Sequence, residues 1–138
     1  MQQHLREFVI ATRGPGAVDI SDELCAWVRD CGVEQGLLTL LVRHTSASLV
    51  IQENADPQVL VDLQNYLDRL APHNDPRYLH TAEGPDDMPA HLRSALTSTT
   101  LSLPVMGGRP ALGTWQAIYL WEHRDQGHRR RIAAQLLG

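Results

Sequence analysis

The order of strand-like and helix-like segments constrains the fold of this chain more than any other feature. Apolar periodicity predicts the order β-α-β-β-α-α-β-β-β, in which three strands follow one another at the end. A doubly wound parallel sheet needs regular alternation of strands and helices. The order therefore predicts an α+β fold with an antiparallel or mixed sheet and helices packed on one face. We expect one domain over residues 1–138, a length that suffices for one apolar core.

The predicted strands are runs rich in β-branched, aromatic or leucine side chains. They cover residues 5–12, 37–42, 49–51, 99–105, 114–122 and 128–137. The run over 37–42 is continuously apolar, which is typical of a strand covered on both faces. The connectors Gly107-Gly108 and Asp125-Gln126-Gly127 predict hairpin turns between the last three strands.

Two helices carry clear start and stop signals. The first is predicted to begin with Asp19 or Ser21 as its cap and to end at Gly32. The second has Asp56 as a favourable N-cap and Pro57 at the first helical position, and its leucines repeat at helical spacing up to residue 70.

The charge pattern excludes several classes of function. A net charge of −4 argues against general nucleic-acid binding, which needs a clustered basic surface. All twelve basic residues are arginine, so the chain has no lysine for a Schiff base or a P-loop. An anion would have to be bound by arginines, backbone amides or a metal ion.

Cys25 and Cys31 are six residues apart in one predicted helix and point to different sides of it, so they should stay reduced. Reduced thiols favour a cytoplasmic location. The N-terminus does not resemble a signal peptide, and no run of 18 apolar residues occurs, which predicts no membrane association.

The segment His44-Thr45-Ser46-Ala47-Ser48 places one imidazole and three hydroxyls between two predicted strands. A serine–histidine nucleophile would need these side chains within hydrogen-bond reach of each other. The alternative is a polar turn whose hydroxyl groups bind the backbone.

A second cluster of polar residues follows the second helix. Residues 80–91 contain two histidines and three carboxylates: His80, Glu83, Asp86, Asp87 and His91. Imidazoles and carboxylates can bind a metal ion or act as general acid and base. A third helix is predicted over residues 88–97, with Asp86 or Asp87 as its cap, so the alternative is a capped loop over solvent.

Two further segments are weaker candidates. Period 2 places an aromatic stripe on one face of the strand over 114–122, which is more typical of a core or interface than of a ligand platform. Glu122, His123 and Arg124 at the strand end are the better candidates there. The small residues around Arg109 and Thr114 would let a backbone approach an anion, although they could equally satisfy turn geometry.

Four motifs occur in order along the chain: His44–Ser48, Gln52–Pro57, Glu83–His91, and Leu112–Gln116 continuing to Trp121–Arg124. Together they resemble the YjbQ-like family, also described as the secondary thiamine-phosphate synthase family. The resemblance implies an antiparallel α+β fold, a homotrimer, and a polar site near the subunit junctions that binds a divalent ion, zinc or magnesium.

The resemblance and the residues together predict three groups of site residues. The metal ligands implied by the resemblance are His44, His80 and His91. The predicted catalytic residues are His44, Ser46, Glu83, Asp87, Glu122 and His123. The predicted substrate-binding residues are Thr45, Ser48, Glu53, Asp56, Arg109, Thr114, Trp115 and Arg124.

The family name implies that a pyrimidine pyrophosphate is joined to a thiazole phosphate with release of pyrophosphate. A metal-dependent hydrolase of a small phosphorylated or cyclic metabolite would use the same histidines. A ligand-binding module without catalysis is the third alternative. In each case the expected partner is a small phosphorylated metabolite.

Overall fold

The computed structural model describes residues 1–138 as three helices and eight strands. The helices are α1 (Ser21–Cys31), α2 (Pro57–Leu70) and α3 (Asp87–Leu96). The strands are β1 (Gln3–Ala11), β2 (Gly16–Asp19), β3 (Gln35–Val42), β4 (Ala47–Glu53), β5 (Thr100–Met106), β6 (Arg109–Pro110), β7 (Gln116–Glu122) and β8 (Arg129–Leu137).

All strand pairs are antiparallel, which confirms the predicted α+β class. The strands form two sheets instead of one. The larger sheet has the order β1-β8-β3-β5-β6 and the smaller has the order β2-β7-β4. The short strand β2, which the sequence pattern did not indicate, closes one edge of the smaller sheet by pairing with β7.

The predicted hairpin between the last two strands is wrong, because β7 and β8 belong to different sheets. The segment over 123–128 crosses from one sheet to the other. Gly127 serves close packing there, since a Cβ atom at this position would lie 2.1 Å from the carbonyl oxygen of Thr12. The predicted turn at Gly107-Gly108 is confirmed between β5 and β6, where both glycines have positive φ.

One apolar core of 18 buried residues joins the two sheets. It includes Leu38 and Leu40 of β3, Leu120 of β7, and Leu24 and Val28 of α1. Each such side chain contributes about 1.5–3 kcal/mol when it is fully buried. The core is therefore large enough to hold the sheets together without a disulfide, and both cysteines are free thiols, as predicted.

The helices α2 and α3 cover the second face of the smaller sheet. Gln64 of α2 accepts a hydrogen bond from the indole of Trp121 at 2.7 Å, and Ser94 of α3 donates to the carbonyl of Ala47 at 3.0 Å. Strand β7 is therefore covered on both faces, which explains why every residue from Ala117 to His123 is buried. Trp115 lies outside the strand and is 65% exposed, so it is not part of the buried stripe.

The outer face of the larger sheet carries no helix. Large apolar side chains are exposed on it: Leu5, Val9, Leu37, Leu41 and Met106. Glu7 lies among them and forms ion pairs with Arg43 and Arg131.

The helix ends follow the predictions in part. Asp56 caps α2 by accepting a hydrogen bond from the amide of Gln58, and Gly32 ends α1 in the left-handed conformation. The N-cap residue of α1 is Ile20 instead of Asp19 or Ser21, while Asp19 accepts a hydrogen bond from the first helical amide, that of Ser21, at 2.8 Å. The Ser21 hydroxyl accepts a hydrogen bond from the amide of Ile118. No helix is long and apolar enough to span a membrane.

Candidate functional site

His80, Asp87 and His91 converge at the start of α3. Oδ2 of Asp87 lies 2.7 Å from Nε2 of His80 and 3.1 Å from Nε2 of His91. Asp87 and His91 meet because residues four apart share one face of a helix. His80 comes from the preceding loop, which turns at Gly84 with a φ of 105°.

Arg124 fixes the orientation of Asp87. Its Nη1 donates to Oδ1 of Asp87 at 2.9 Å, and its Nε donates to Oδ2 of Asp86 at 2.8 Å. Asp86 is the N-cap residue of α3, but its side chain makes no cap hydrogen bond because Arg124 binds it instead. One oxygen of Asp87 is thus held by an arginine, while the other faces the two imidazoles.

The charges around Asp86 and Asp87 favour ionised carboxylates. The hydrogen bond from Arg124 holds the pKa of Asp86 at about 2. Burial raises the pKa of Asp87, but the hydrogen bond from His80 and the charges of His91 and Arg124 outweigh it and lower the pKa. Asp87 is therefore a carboxylate at neutral pH.

The donor set of His80, Asp87 and His91 fits a transition-metal ion. One ligand atom from each residue lies within 4.8 Å of the others. A tetrahedral zinc ion with bonds of about 2.0–2.1 Å separates its ligand atoms by roughly 3.3 Å, so the cluster needs little rearrangement. Two imidazole nitrogens favour zinc over magnesium, which prefers oxygen ligands.

His44, which the resemblance groups with His80 and His91, is not part of this cluster within one chain. Its Nε2 accepts a hydrogen bond from the backbone amide of Arg131 at 2.8 Å. This bond occupies the lone pair on Nε2 and places the ring proton on Nδ1. Within one chain, the side chain that joins His80 and His91 is that of Asp87.

His123 and Ser48 form a buried pair between the smaller sheet and α3. Nε2 of His123 lies 2.8 Å from Oγ of Ser48, and Thr97 makes a further hydrogen bond of 2.6 Å to that oxygen. Both His123 and Ser48 are completely buried. Burial, followed by the charge of Arg93, lowers the pKa of His123 to about 3. These two predicted site residues therefore have no contact with solvent and stabilise the packing of α3.

Glu122 is also buried, and both of its carboxylate oxygens accept hydrogen bonds. Arg130 donates to Oε1 of Glu122 at 2.8 Å and also binds Oε2, while Thr12 donates to Oε1 at 2.6 Å. Ser46 contacts the same guanidinium at 3.1 Å. Burial raises the pKa of Glu122, but the hydrogen bonds from Arg130 and Thr12 outweigh this effect, and the pKa is lowered. Glu122 and Ser46 thus anchor the crossing between the two sheets.

The remaining predicted residues do not form one cleft. Strand pairing places Glu53 beside Gln116 and Ala47 beside Glu122, so the two ends of β7 are roughly 20 Å apart. Four predicted substrate-binding residues lie at the end remote from Arg124: Glu53, Asp56, Thr114 and Trp115. Arg109 lines a third region beside α1, and the exposed Thr45 and Glu83 make no side-chain hydrogen bond.

A pocket of about 380 Å³ opens beside His80. Its wall includes Asn74, Tyr78, Thr81 and Met88, none of which the sequence pattern singled out as a site residue. Tyr78 is fixed because its hydroxyl donates to the carbonyl of Pro72 at 2.8 Å. The signal that could have found this wall is the long polar stretch between α2 and His80.

The fold and the cluster define a small antiparallel α+β protein with a candidate two-histidine, one-carboxylate site. The sequence profile described as "UPF0047 protein YjbQ-like" matches residues 6–138. The chain belongs to this family.

This chain matches relatives and solved structures over nearly its whole length. The chain is 50% identical to a UPF0047 protein of Synechocystis, covering 99% of this chain and 93% of the relative. It is 43% identical to the UPF0047 protein YjbQ of Escherichia coli O157:H7, covering 96% of both. The crystal structure of a conserved hypothetical protein from Thermus thermophilus superposes with a TM-score of 0.85 at 36% identity, covering 96% of this chain and 99% of the other.

Proposed function

We propose that this chain is a divalent-metal enzyme whose ion is held by His80, Asp87 and His91. The observation that carries the proposal is the convergence of both imidazoles on one carboxylate oxygen, at 2.7 and 3.1 Å. An arginine that holds the other oxygen of the same carboxylate supports it, since partners of metal ligands fix the ligand geometry. The pocket beside His80 would receive the substrate.

Each residue of the site has a distinct part in this proposal. The ion would polarise a substrate oxygen and lower the pKa of a coordinated water. Arg124 holds Asp87 in its ionised form and fixed orientation. Glu83 lies on the same loop with an exposed and unpaired carboxylate, which makes it the candidate to accept or return a proton.

The lack of a free arginine beside this pocket favours hydrolysis of a small phosphorylated or cyclic metabolite. Arg77 is paired with Asp75, and Arg124 is bound to Asp86 and Asp87, so neither guanidinium is free to neutralise a leaving pyrophosphate. Attack by water needs one bound substrate, which a pocket of about 380 Å³ can contain.

The transfer reaction implied by the resemblance is the second candidate. Its support is the ring of Tyr78 in the pocket wall, which is held in place and could stack on a flat heterocycle. In this reaction the ion alone would have to neutralise the pyrophosphate. The two reactions differ in whether turnover needs a second substrate.

Purified untagged protein is expected to contain close to one zinc ion per subunit, because the donor set favours zinc over magnesium. Elemental analysis measures the content, and chelation followed by zinc addition should abolish and restore turnover. Release of phosphate from a single phosphoester supports hydrolysis, whereas product formed only from both thiamine precursors supports transfer. Metal that is absent and cannot be restored would contradict the metal centre and leave a ligand-binding module.

We further propose that the uncovered face of the larger sheet assembles the chain into the homotrimer implied by the resemblance. The support is the set of exposed apolar side chains on that face, because burial of such side chains drives association. We also propose that the protein is cytoplasmic, which fits its two free thiols.

The double variant Leu37→Glu, Leu41→Glu should dissociate the trimer, because it would place two carboxylates inside the apolar interface. Sedimentation velocity should show a monomer of about 15.4 kDa. Val61→Glu is the matched control, since Val61 is as exposed but lies on α2. A monomeric native protein, or a trimer that survives in the double variant, would contradict the proposed interface.

A further inference from the structure

Most of the arginines in this chain have an assigned partner. Six form ion pairs: Arg43, Arg77, Arg93, Arg124, Arg130 and Arg131. Arg6 lies over the ring of Phe8, and Arg69 lies over the ring of Tyr66. Four of the twelve make no side-chain hydrogen bond, ion pair or ring contact: Arg13, Arg29, Arg109 and Arg129.

Two of these four free arginines line the same pocket. Arg29 from the last turn of α1 and Arg109 from β6 face a cavity of about 600 Å³, which shares no residue with the pocket beside His80. Gly107 and Gly108 form another wall with φ of 61° and 77°. These values favour glycine, so the turn itself places no side chain in the cavity; the nearest atom to a Cβ built at Gly108 is Oε2 of Glu34, at 3.8 Å.

The charges of Arg29 and Arg109 act on a common point. The thiol of Cys25 lies in the same pocket, where burial and the charges of Asp22 and Asp19 raise its pKa and both guanidinium groups lower it. Glu34 also lines the pocket, which leaves a net charge of +1 among its three charged side chains. This net charge suits a ligand with one oxyanion group, which would face the arginines and be bound by two planar donor groups.

We propose that the pocket between α1 and the β5–β6 turn binds a small phosphorylated metabolite through its phosphate, held by Arg29 and Arg109. This site is separate from the metal centre and does not depend on it. Arg109 thus binds an anion, as its glycine-rich setting suggested, but in a different cleft from His80. The cavity of about 600 Å³ has room for more than a phosphate, and the rest of the ligand would lie along Cys25 and Val33, which also line it.

The test is a titration with inorganic phosphate followed by amide NMR at low salt, because exposed ion pairs are screened at high ionic strength. The amide signals of Gly107 and Gly108 should shift and saturate. Arg29→Gln and Arg109→Gln should each weaken binding about tenfold or more, since hydrogen bonds to charged groups are the strong ones. Arg13→Gln is the control, because it removes an equally free arginine outside this pocket.

A parallel titration with phenyl phosphate distinguishes free phosphate from a phosphoester as the occupant. Only the ester has a group that can lie along Cys25 and Val33. Unchanged dispersion of the amide spectrum shows that each variant is folded. The proposal is overturned if Gly107 and Gly108 do not respond, if Arg13→Gln weakens binding as much as the other two variants, or if the signals that respond belong to residues near His80 alone.

Discussion

Asp87→Asn should weaken zinc binding by at least about 100-fold, because it removes the one anionic ligand while keeping nearly the same shape. Oδ2 of Asp87 forms a hydrogen bond with both imidazoles, so the substitution removes the negative charge at the point where they converge. Turnover at saturating substrate should fall with the metal content. The measurement is a competition titration with a chelating dye, with circular dichroism to show that the variant is folded.

His44→Ala is the matched control for Asp87→Asn. His44 belongs to the ligand set implied by the resemblance, yet its Nε2 accepts from the amide of Arg131. If the centre is assembled as the geometry within one chain indicates, His44→Ala should keep its zinc. Zinc retained in Asp87→Asn and lost in His44→Ala would show that the centre is built around His44, with ligands from more than one subunit.

Acid should destabilise the metal-free protein strongly because of His123. The folded state keeps this imidazole neutral until about pH 3, whereas the unfolded chain binds a proton near pH 6.5. Between these values the unfolded state holds more protons, so the free energy of unfolding falls as the pH falls. The loss from this one group is about 3 kcal/mol at pH 4 and about 4 kcal/mol at pH 3.

The matched variant for this prediction is His123→Gln, which keeps a polar group near Ser48 but cannot titrate. Urea unfolding of the metal-free protein at pH 7, 6, 5 and 4 measures the slope of stability against pH. The variant should be less stable at pH 7 and should lose much less stability on acidification. Parallel slopes in both proteins would show that the acid sensitivity arises elsewhere.

Much of the local structure is visible in the sequence. The caps and stops at Asp56, Pro57 and Gly32 define helix ends because they act through neighbouring backbone groups. The continuous apolar run in β3 correctly indicates a strand, but the prediction that both its faces are covered is wrong, because Leu37 and Leu41 lie on the uncovered face of the larger sheet. Ser21 does not cap α1, because its hydroxyl accepts a hydrogen bond from the amide of Ile118, which is 97 residues away in sequence.

The candidate site was predicted in part. The sequence identifies the acidic, histidine-rich segment and predicts that Asp86 or Asp87 caps the helix after it, but not that Asp87 and His91 share a face of that helix. It does not show that Arg124 reaches both Asp86 and Asp87, because those residues are brought together by the crossing after β7. Glu122 and His123 are chemically attractive residues, but tertiary packing removes both from solvent.

The sequence by itself determined the class of the fold, most helix ends and the segment that contains His80, Asp87 and His91, since these depend on periodicity and on contacts within a few residues. Only the tertiary structure decided that the strands divide into two sheets and that Asp87, instead of His44, joins the two histidines. Periodicity reports which side of a strand is buried, but not which strand lies beside it. The partners of a buried side chain depend on which strands are neighbours.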